Sequence, residues 1–314
     1  MGRFKYWVFM KWIIVLTIFV FLGKLVWDDW NQVKGASFTF DLFPLISASL
    51  LFASCYFIQI WVWYRITLQL GVAISWMETL ENWFTSQLGK YLPGKVWILL
   101  GRFYFYESKG KSKKMISVAL YFETVTLLVA AGLIFFVTFF LFKGMEPLSL
   151  KNHSWWVVLL SFLFLLSLHP WILQKGLNFF LRKFKKEPIL LSISYLTILG
   201  ILLICVLIWM IAGVGFYLFV SSVYPVSLQY VLFLTGALAI STTLGLIALF
   251  APGGLGVREG ALVYLLSWIM PSPVAVVLAL LTRLWMTLIE IGLIGMVYLI
   301  GRFRKGLSRR SQHA

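Results

Sequence analysis

Two short pieces of the chain set cations beside proline and glycine inside otherwise apolar sequence. The first is Leu88-Gly89-Lys90-Tyr91-Leu92-Pro93-Gly94-Lys95; the second is Ala251-Pro252-Gly253-Gly254-Leu255-Gly256-Val257-Arg258-Glu259. A Pro-Gly pair breaks a helix, and the helix that restarts after it offers unpaired N–H groups and a positive dipole end. Lys90 and Lys95 flank Pro93-Gly94, so the first break has donors suited to a phosphate or another anion. In the second, Gly253, Gly254 and Gly256 permit very close backbone approach. Arg258 adds a planar cation able to hold phosphate bidentately, and Glu259 either orients it or sits favourably at the helix start. The plainer alternatives are an ordinary turn with lysines reaching the membrane surface, and a structural Arg–Glu clamp.

Three further charges lie in apolar surroundings: Glu123, Arg283 and Glu290. Glu123 follows Pro93 by 30 residues and Arg283 follows Pro252 by 31, so a repeat would set an acid and a base on equivalent helices. Glu290 lies seven residues beyond Arg283, two turns along the same face. An ion pair between the two halves and a proton-coupling carboxylate are both open.

Other chemistries find no footing. Gly89-x-x-x-x-Gly94-Lys95 begins like a P-loop, but Val96 stands where Ser or Thr would hold Mg²⁺ and no strand precedes it. His153, His169 and His313 are isolated, without metal-ligand spacing, and no Gly-x-Ser-x-Gly elbow occurs. Asp28-Asp29 reads as a solvated loop rather than a metal–diphosphate clamp. No catalytic residue, metal or cofactor is expected.

The elements that must position these residues are membrane helices. Hydrophobic residues make up 61% of the 314, charged ones 12%, and no charge or histidine occurs from Ile189 to Val257. Apolar runs of that length without strict alternation are helices, not barrel strands. The net charge of +16 is carried in short segments between spans, so it reflects membrane topology rather than nucleic-acid binding. Six full spans fit at about 6–27, 42–64, 117–142, 154–173, 190–221 and 274–301, the first read as uncleaved. The broken stretches fall at about 76–106 and 229–270.

Basic segments at Arg102–Lys114, Lys175–Lys186 and Arg302–Arg310 place these, and both termini, in the cytoplasm. The segments Trp27–Asp41 and Val223–Gln229 then lie outside. Counting crossings makes the first broken stretch enter and leave on the inside, and the second on the outside. The expected fold is therefore an all-α polytopic membrane protein: one domain, two re-entrant Pro-Gly hairpins, and an inverted-topology repeat of residues 1–150 and 151–314. Residues 229–250 are also long enough to cross fully.

Gln87-Leu-Gly-Lys90-Tyr-Leu-Pro93-Gly94-Lys-Val, Arg102 with Glu123 downstream, Ala251-Pro252-Gly253-Gly254-Leu-Gly256-Val-Arg258-Glu259-Gly260-Ala261 and Leu281-Thr-Arg283-Leu resemble the lysylphosphatidylglycerol synthase transmembrane, or flippase-like, family. The Pro-Gly-Gly-x-Gly-x-x-Glu block is the most specific part. The resemblance implies movement of a lipid across the cytoplasmic (inner) membrane. In bifunctional members the membrane domain is thought to flip an aminoacylated phospholipid made by a soluble C-terminal synthase, and no such block follows here, so a stand-alone member is expected. The expected substrate is a lipid with an anionic head group: a phospholipid, an aminoacyl-phospholipid or a polyprenyl-phosphate-linked glycan. Expected partners are membrane lipids and a lipid-modifying or glycosyltransferase enzyme, not nucleic acid. An integral membrane glycosyltransferase, or an accessory scaffold of such a pathway, is the alternative.

Overall fold

The computed structural model describes residues 38–91, 96–141, 168–183, 193–248 and 251–310, with shorter pieces between 20 and 35, single positions between 159 and 166, and residue 188. The spans expected at 6–27 and 154–173 fall largely outside the described residues, as do Pro93, Gly94 and Lys95.

Every regular element among the described residues is helical: α1 (Trp30–Gly35), α2 (Leu42–Gln69), α3 (Trp76–Gln87), α4 (Val96–Ser108), α5 (Lys113–Leu141), α6 (Pro170–Lys183), α7 (Tyr195–Val223), α8 (Val231–Ile247), α9 (Val257–Leu266) and α10 (Ser272–Arg310). Five are long and apolar enough to cross a membrane: Leu42–Gln69, Lys113–Leu141, Tyr195–Val223, Leu228–Ile247 and Ser272–Arg302. Four of these match expected spans. The fifth, Leu228–Ile247, is the entering arm of the second broken stretch, and its 20 residues reach the length of a full crossing. By contrast α3 and α4 have 12 and 13 residues. At 1.5 Å per residue each is about 18–20 Å long, short of the ~30 Å hydrocarbon layer.

Local chemistry starts the helices where the hydrophobic pattern does. Asp41 accepts from Phe43 N–H at 3.1 Å before α2, and Ser194 accepts from Thr197 N–H at 3.2 Å before α7. Ser75 and Glu78 form a reciprocal capping box at α3.

Helices α2, α5, α7 and α8 make the central bundle, with α10 against α2, α7 and the α3–α4 hairpin. Lipid gives helices no hydrophobic reason to associate, so close packing of small residues has to hold them. Gly213 leaves no room for a Cβ beneath Thr235, and Gly236 none beneath Thr138, which joins α7, α8 and α5. Trp285 ties α10 in, stacking on Phe219 at 4.4 Å and donating to Ser49 Oγ at 2.9 Å.

The bundle has two chemically distinct ends. At one, Thr39 and Asp41 donate N–H bonds to Val223 and Ser222, so the start of α2 lies beside the end of α7. The adjoining parts of the two segments expected outside, Thr39–Asp41 and the end of α7, thus lie on one face. At the other end, Glu78 pairs with Lys109, Lys114 donates to the Pro188 carbonyl, and Gly301 of α10 abuts Glu81. Lys109, Lys114 and the stretch of α10 around Gly301 gather there.

Candidate functional site

The two broken stretches meet. The single 3₁₀ turn Leu88–Tyr91 touches the turn Pro252–Gly254, and a Cβ on Gly253 would lie 3.5 Å from the Lys90 carbonyl. Gly253, Gly254 and Gly256 have φ of 57°, 73° and 83°, left-handed values that side chains other than glycine rarely adopt. This is why three glycines follow Pro252. Gly254 uses its missing side chain on α8: a Cβ there would lie 2.7 Å from the Gly245 carbonyl. Gly245 in turn faces Arg258, whose Cβ would be 2.8 Å from a Cβ at 245. The close approach expected at Gly254 is therefore backbone against backbone.

Around these turns five charges share one electrostatic neighbourhood. Lys90 Nζ pairs with Glu290, whose side chain is 1% exposed, on the middle turns of α10. Arg283, two turns earlier, donates to the Gly253 carbonyl at 3.0 Å and lies 3.5 Å from Glu259 Oε1. The other Glu259 oxygen accepts from Gly256 N–H at 2.7 Å, closing the start of α9. Arg258 reaches the Met286 thioether and has no carboxylate within 4 Å among the described residues. Lys90 feels the charges of Arg283 and Arg258 as well as Glu290, and Arg258 those of Glu259 and Glu290.

When all are ionised, the three cations Lys90, Arg258 and Arg283 face the two carboxylates Glu259 and Glu290, leaving +1. The carboxylates are buried while the three cations are half-buried, so the surplus faces a partly open space where an anion can join it. Each carboxylate also keeps one buried oxygen, Glu259 Oε1 and Glu290 Oε1, without a hydrogen-bond partner among the described residues. The site can thus take an anion on its cations, while the carboxylate oxygens are closed off from outside, Glu259 Oε1 lying 3.5 Å from Arg283. Ser241, close before the break in sequence, turns its hydroxyl back to the Leu238 carbonyl.

Glu123 is elsewhere. Arg102 holds it at 2.6 Å, both residues are 5% exposed, and Gln59 lies 3.5 Å from the other oxygen. The guanidinium sits over Trp63 at 5.0 Å and Trp83 at 5.5 Å. Assigning Arg102 to a basic surface loop therefore needs correction: it belongs to α4 and is buried, its charge balanced by Glu123 and covered by two indoles. An ion pair does join the two halves, but it is Lys90–Glu290, 200 residues apart, rather than one involving Glu123. Arg102–Glu123 and Glu259–Arg283 occupy matching places in chain order, each linking the helix after a break to the next one. No spacing rule along a helix pairs Arg102 with Glu123; the family resemblance groups the two, and the structure shows them as a buried ion pair.

Helix α3 carries Glu78, Glu81, Asn82, Thr85 and Ser86, yet little of that polarity is open. Asn82 and Ser86 are 5% and 6% exposed, Glu78 is tied to Ser75 and Lys109, and Thr85 alone of the hydroxyls faces out. Among the described residues no three His, Cys, Asp or Glu side chains gather as a metal-binding group.

A family model described as the lysylphosphatidylglycerol synthase TM region matches residues 12–295. No curated protein matches the chain. The matched region contains both broken stretches, all five charges of the site and the Arg102–Glu123 pair. With most of its length under that match, this chain belongs to the lysylphosphatidylglycerol synthase transmembrane-region family.

Proposed function

We propose that the protein is a lipid translocase that moves a lipid with an anionic or phosphate-containing head group across the cytoplasmic membrane. The single observation that carries this is the surplus of positive charge, on three half-buried cations around two buried carboxylates, where the two broken stretches meet. Lys90, Arg258 and Arg283 outnumber Glu259 and Glu290, and Arg258 has a thioether rather than a carboxylate beside it. A phosphate completes the balance. The head group sits at the cluster while the tails stay in the bilayer.

The matched family's description supports a lipid substrate, and an aminoacyl-phospholipid brings the phosphate that the cations suit. A phospholipid or a polyprenyl-phosphate glycan would use the same cations. We read both termini as cytoplasmic and the α3–α4 pair as re-entrant from the inside. The second stretch opens from the other face, so the two halves form an inverted repeat around one site. A lipid-modifying or glycosyltransferase enzyme is the fitting partner, since something must make or consume the translocated lipid.

The test is translocation of a fluorescent anionic phospholipid in vesicles holding the purified chain. Arg258→Ala should abolish it, and Arg258→Lys should restore little, because a lysine ammonium lacks the planar fork. Wild-type rates from a folded Arg258→Ala protein would remove the anion site from the mechanism. Sugar transfer by the same preparation would favour a glycosyltransferase instead.

A further inference from the structure

Helix α6 takes no part in the charge cluster and touches the central bundle at the start of α5. The expected span at 154–173 followed by a basic loop does not describe it. Residues 168–169 form a turn, Pro170 opens the helix, and His169 Nδ1 accepts from the Trp171 N–H at 3.3 Å. Its 14 residues make about 21 Å, too short to cross the ~30 Å hydrocarbon layer.

Its inner face is apolar and docked. Leu173 and Leu177 are 2% and 5% exposed, and Leu177 packs on Val118 beside Met115 and Tyr121 at the start of α5. Gly176 brings the helix against the Tyr121 hydroxyl, where a Cβ would lie 2.9 Å away. The docking point is the basic end of the molecule, next to exposed Lys113 and Lys114.

The outer face mixes two chemistries. Trp171, Ile172 and Phe179 are 58%, 39% and 66% exposed, and Lys175, Arg182 and Lys183 are exposed beside them. At 3.6 residues per turn these six fall within about one third of the circumference. Lys175 Nζ stands 3.6 Å from the Trp171 ring centroid, so a cation and an aromatic ring sit together. The helix contains no acidic residue.

We propose that α6 lies in the membrane interface and that its outer face binds the anionic lipid head groups of the leaflet at the basic end. Large apolar side chains favour the acyl boundary and cations favour phosphates, and a helix presenting both at once fits the layer between them. Zwitterionic lipid would accommodate the rings but do little for three cations with no carboxylate on their own helix. Charge complementarity therefore selects the anionic class, at roughly fivefold enrichment per basic residue near the surface.

The test uses the full chain in phosphatidylcholine vesicles with and without phosphatidylglycerol. Phe179→Cys carries an environment-sensitive fluorophore, with Cys55 and Cys205 replaced by Ala. A nitroxide at head-group depth should quench it strongly, and a deep acyl nitroxide or aqueous iodide weakly. The shallow nitroxide should quench better on phosphatidylglycerol than on phosphatidylcholine. Lys175→Gln, Arg182→Gln and Lys183→Gln together should cut that preference about tenfold or more, while the charge-keeping set Lys175→Arg, Arg182→Lys and Lys183→Arg retains it. Dominant iodide quenching in both vesicles would overturn the proposal, leaving the face to water or a soluble protein. So would deep quenching, equal quenching by the two lipids, or loss of preference in the charge-keeping set.

Discussion

Glu290 and Lys90 show what single residues contribute to the site. Lys90→Met removes the partner of a carboxylate that is 1% exposed. Leaving such a charge alone costs about 3–5 kcal/mol when it is fully buried. A fall in thermal stability should follow, and adding Glu290→Gln should recover most of it, since the second change removes the stranded charge. A double-mutant cycle on unfolding midpoints checks this; additive losses would mean the pair is not coupled. Glu290→Gln alone has the opposite electrostatic sense. It raises the surplus of the cluster from +1 to +2 if the other four groups stay ionised. On the anion-site proposal the head group is then held more tightly and released more slowly, so lipid-binding affinity should rise while the translocation rate falls. A rise in rate would count against the cluster as the holding site.

At the level of elements, the two breaks are held by contacts of unlike kind. Gly254 combines φ of 73° with a Cβ position 2.7 Å from the Gly245 carbonyl. Gly254→Val therefore meets both left-handed strain of about 1–2 kcal/mol and overpacking of about 1–3 kcal/mol. Loss of folded protein is the expected outcome, read as the monodisperse fraction after solubilisation; normal amounts of inactive protein would instead point to steric blocking of a ligand. The α3–α4 hairpin depends on a charge pair. Glu123→Ala strands the Arg102 guanidinium between Trp63 and Trp83, both almost fully buried. The cost should approach 3–5 kcal/mol. Arg102→Met with Glu123→Gln, which keeps volume and removes both charges, should stay close to wild type in a thermal melt.

For the whole molecule, the grouping of ends makes topology measurable. Thr39 and Asp41 bond to the last residues of α7, whereas Lys109, Lys114 and Gly301 cluster at the opposite end. In a chain lacking Cys55 and Cys205, Lys111→Cys and Ser227→Cys should react with a membrane-impermeant thiol reagent from opposite sides. The positive-inside rule assigns Lys111 to the cytoplasm. Labelling of both positions from one side would break the two-ended arrangement and, with it, the inverted repeat.

By itself the sequence determined that this is a bundle of membrane helices, where four of its five candidate spans lie, which residues break them, and that Glu123, Arg283 and Glu290 stand in apolar surroundings. Hydropathy, glycine and proline act locally and along one chain, so windows of about 20 residues suffice to read them. The same local reading misplaced Arg102 and took α6 for a loop, because a cation in sequence does not say whether a carboxylate or an indole awaits it in space. Only the tertiary structure decided that Arg102 meets Glu123, that Lys90 meets Glu290 across 200 residues, and that Gly254 rests on Gly245. Each depends on how helices are rotated and crossed. A shift of a few ångströms there exchanges one partner for another while leaving composition, periodicity and loop charge unchanged.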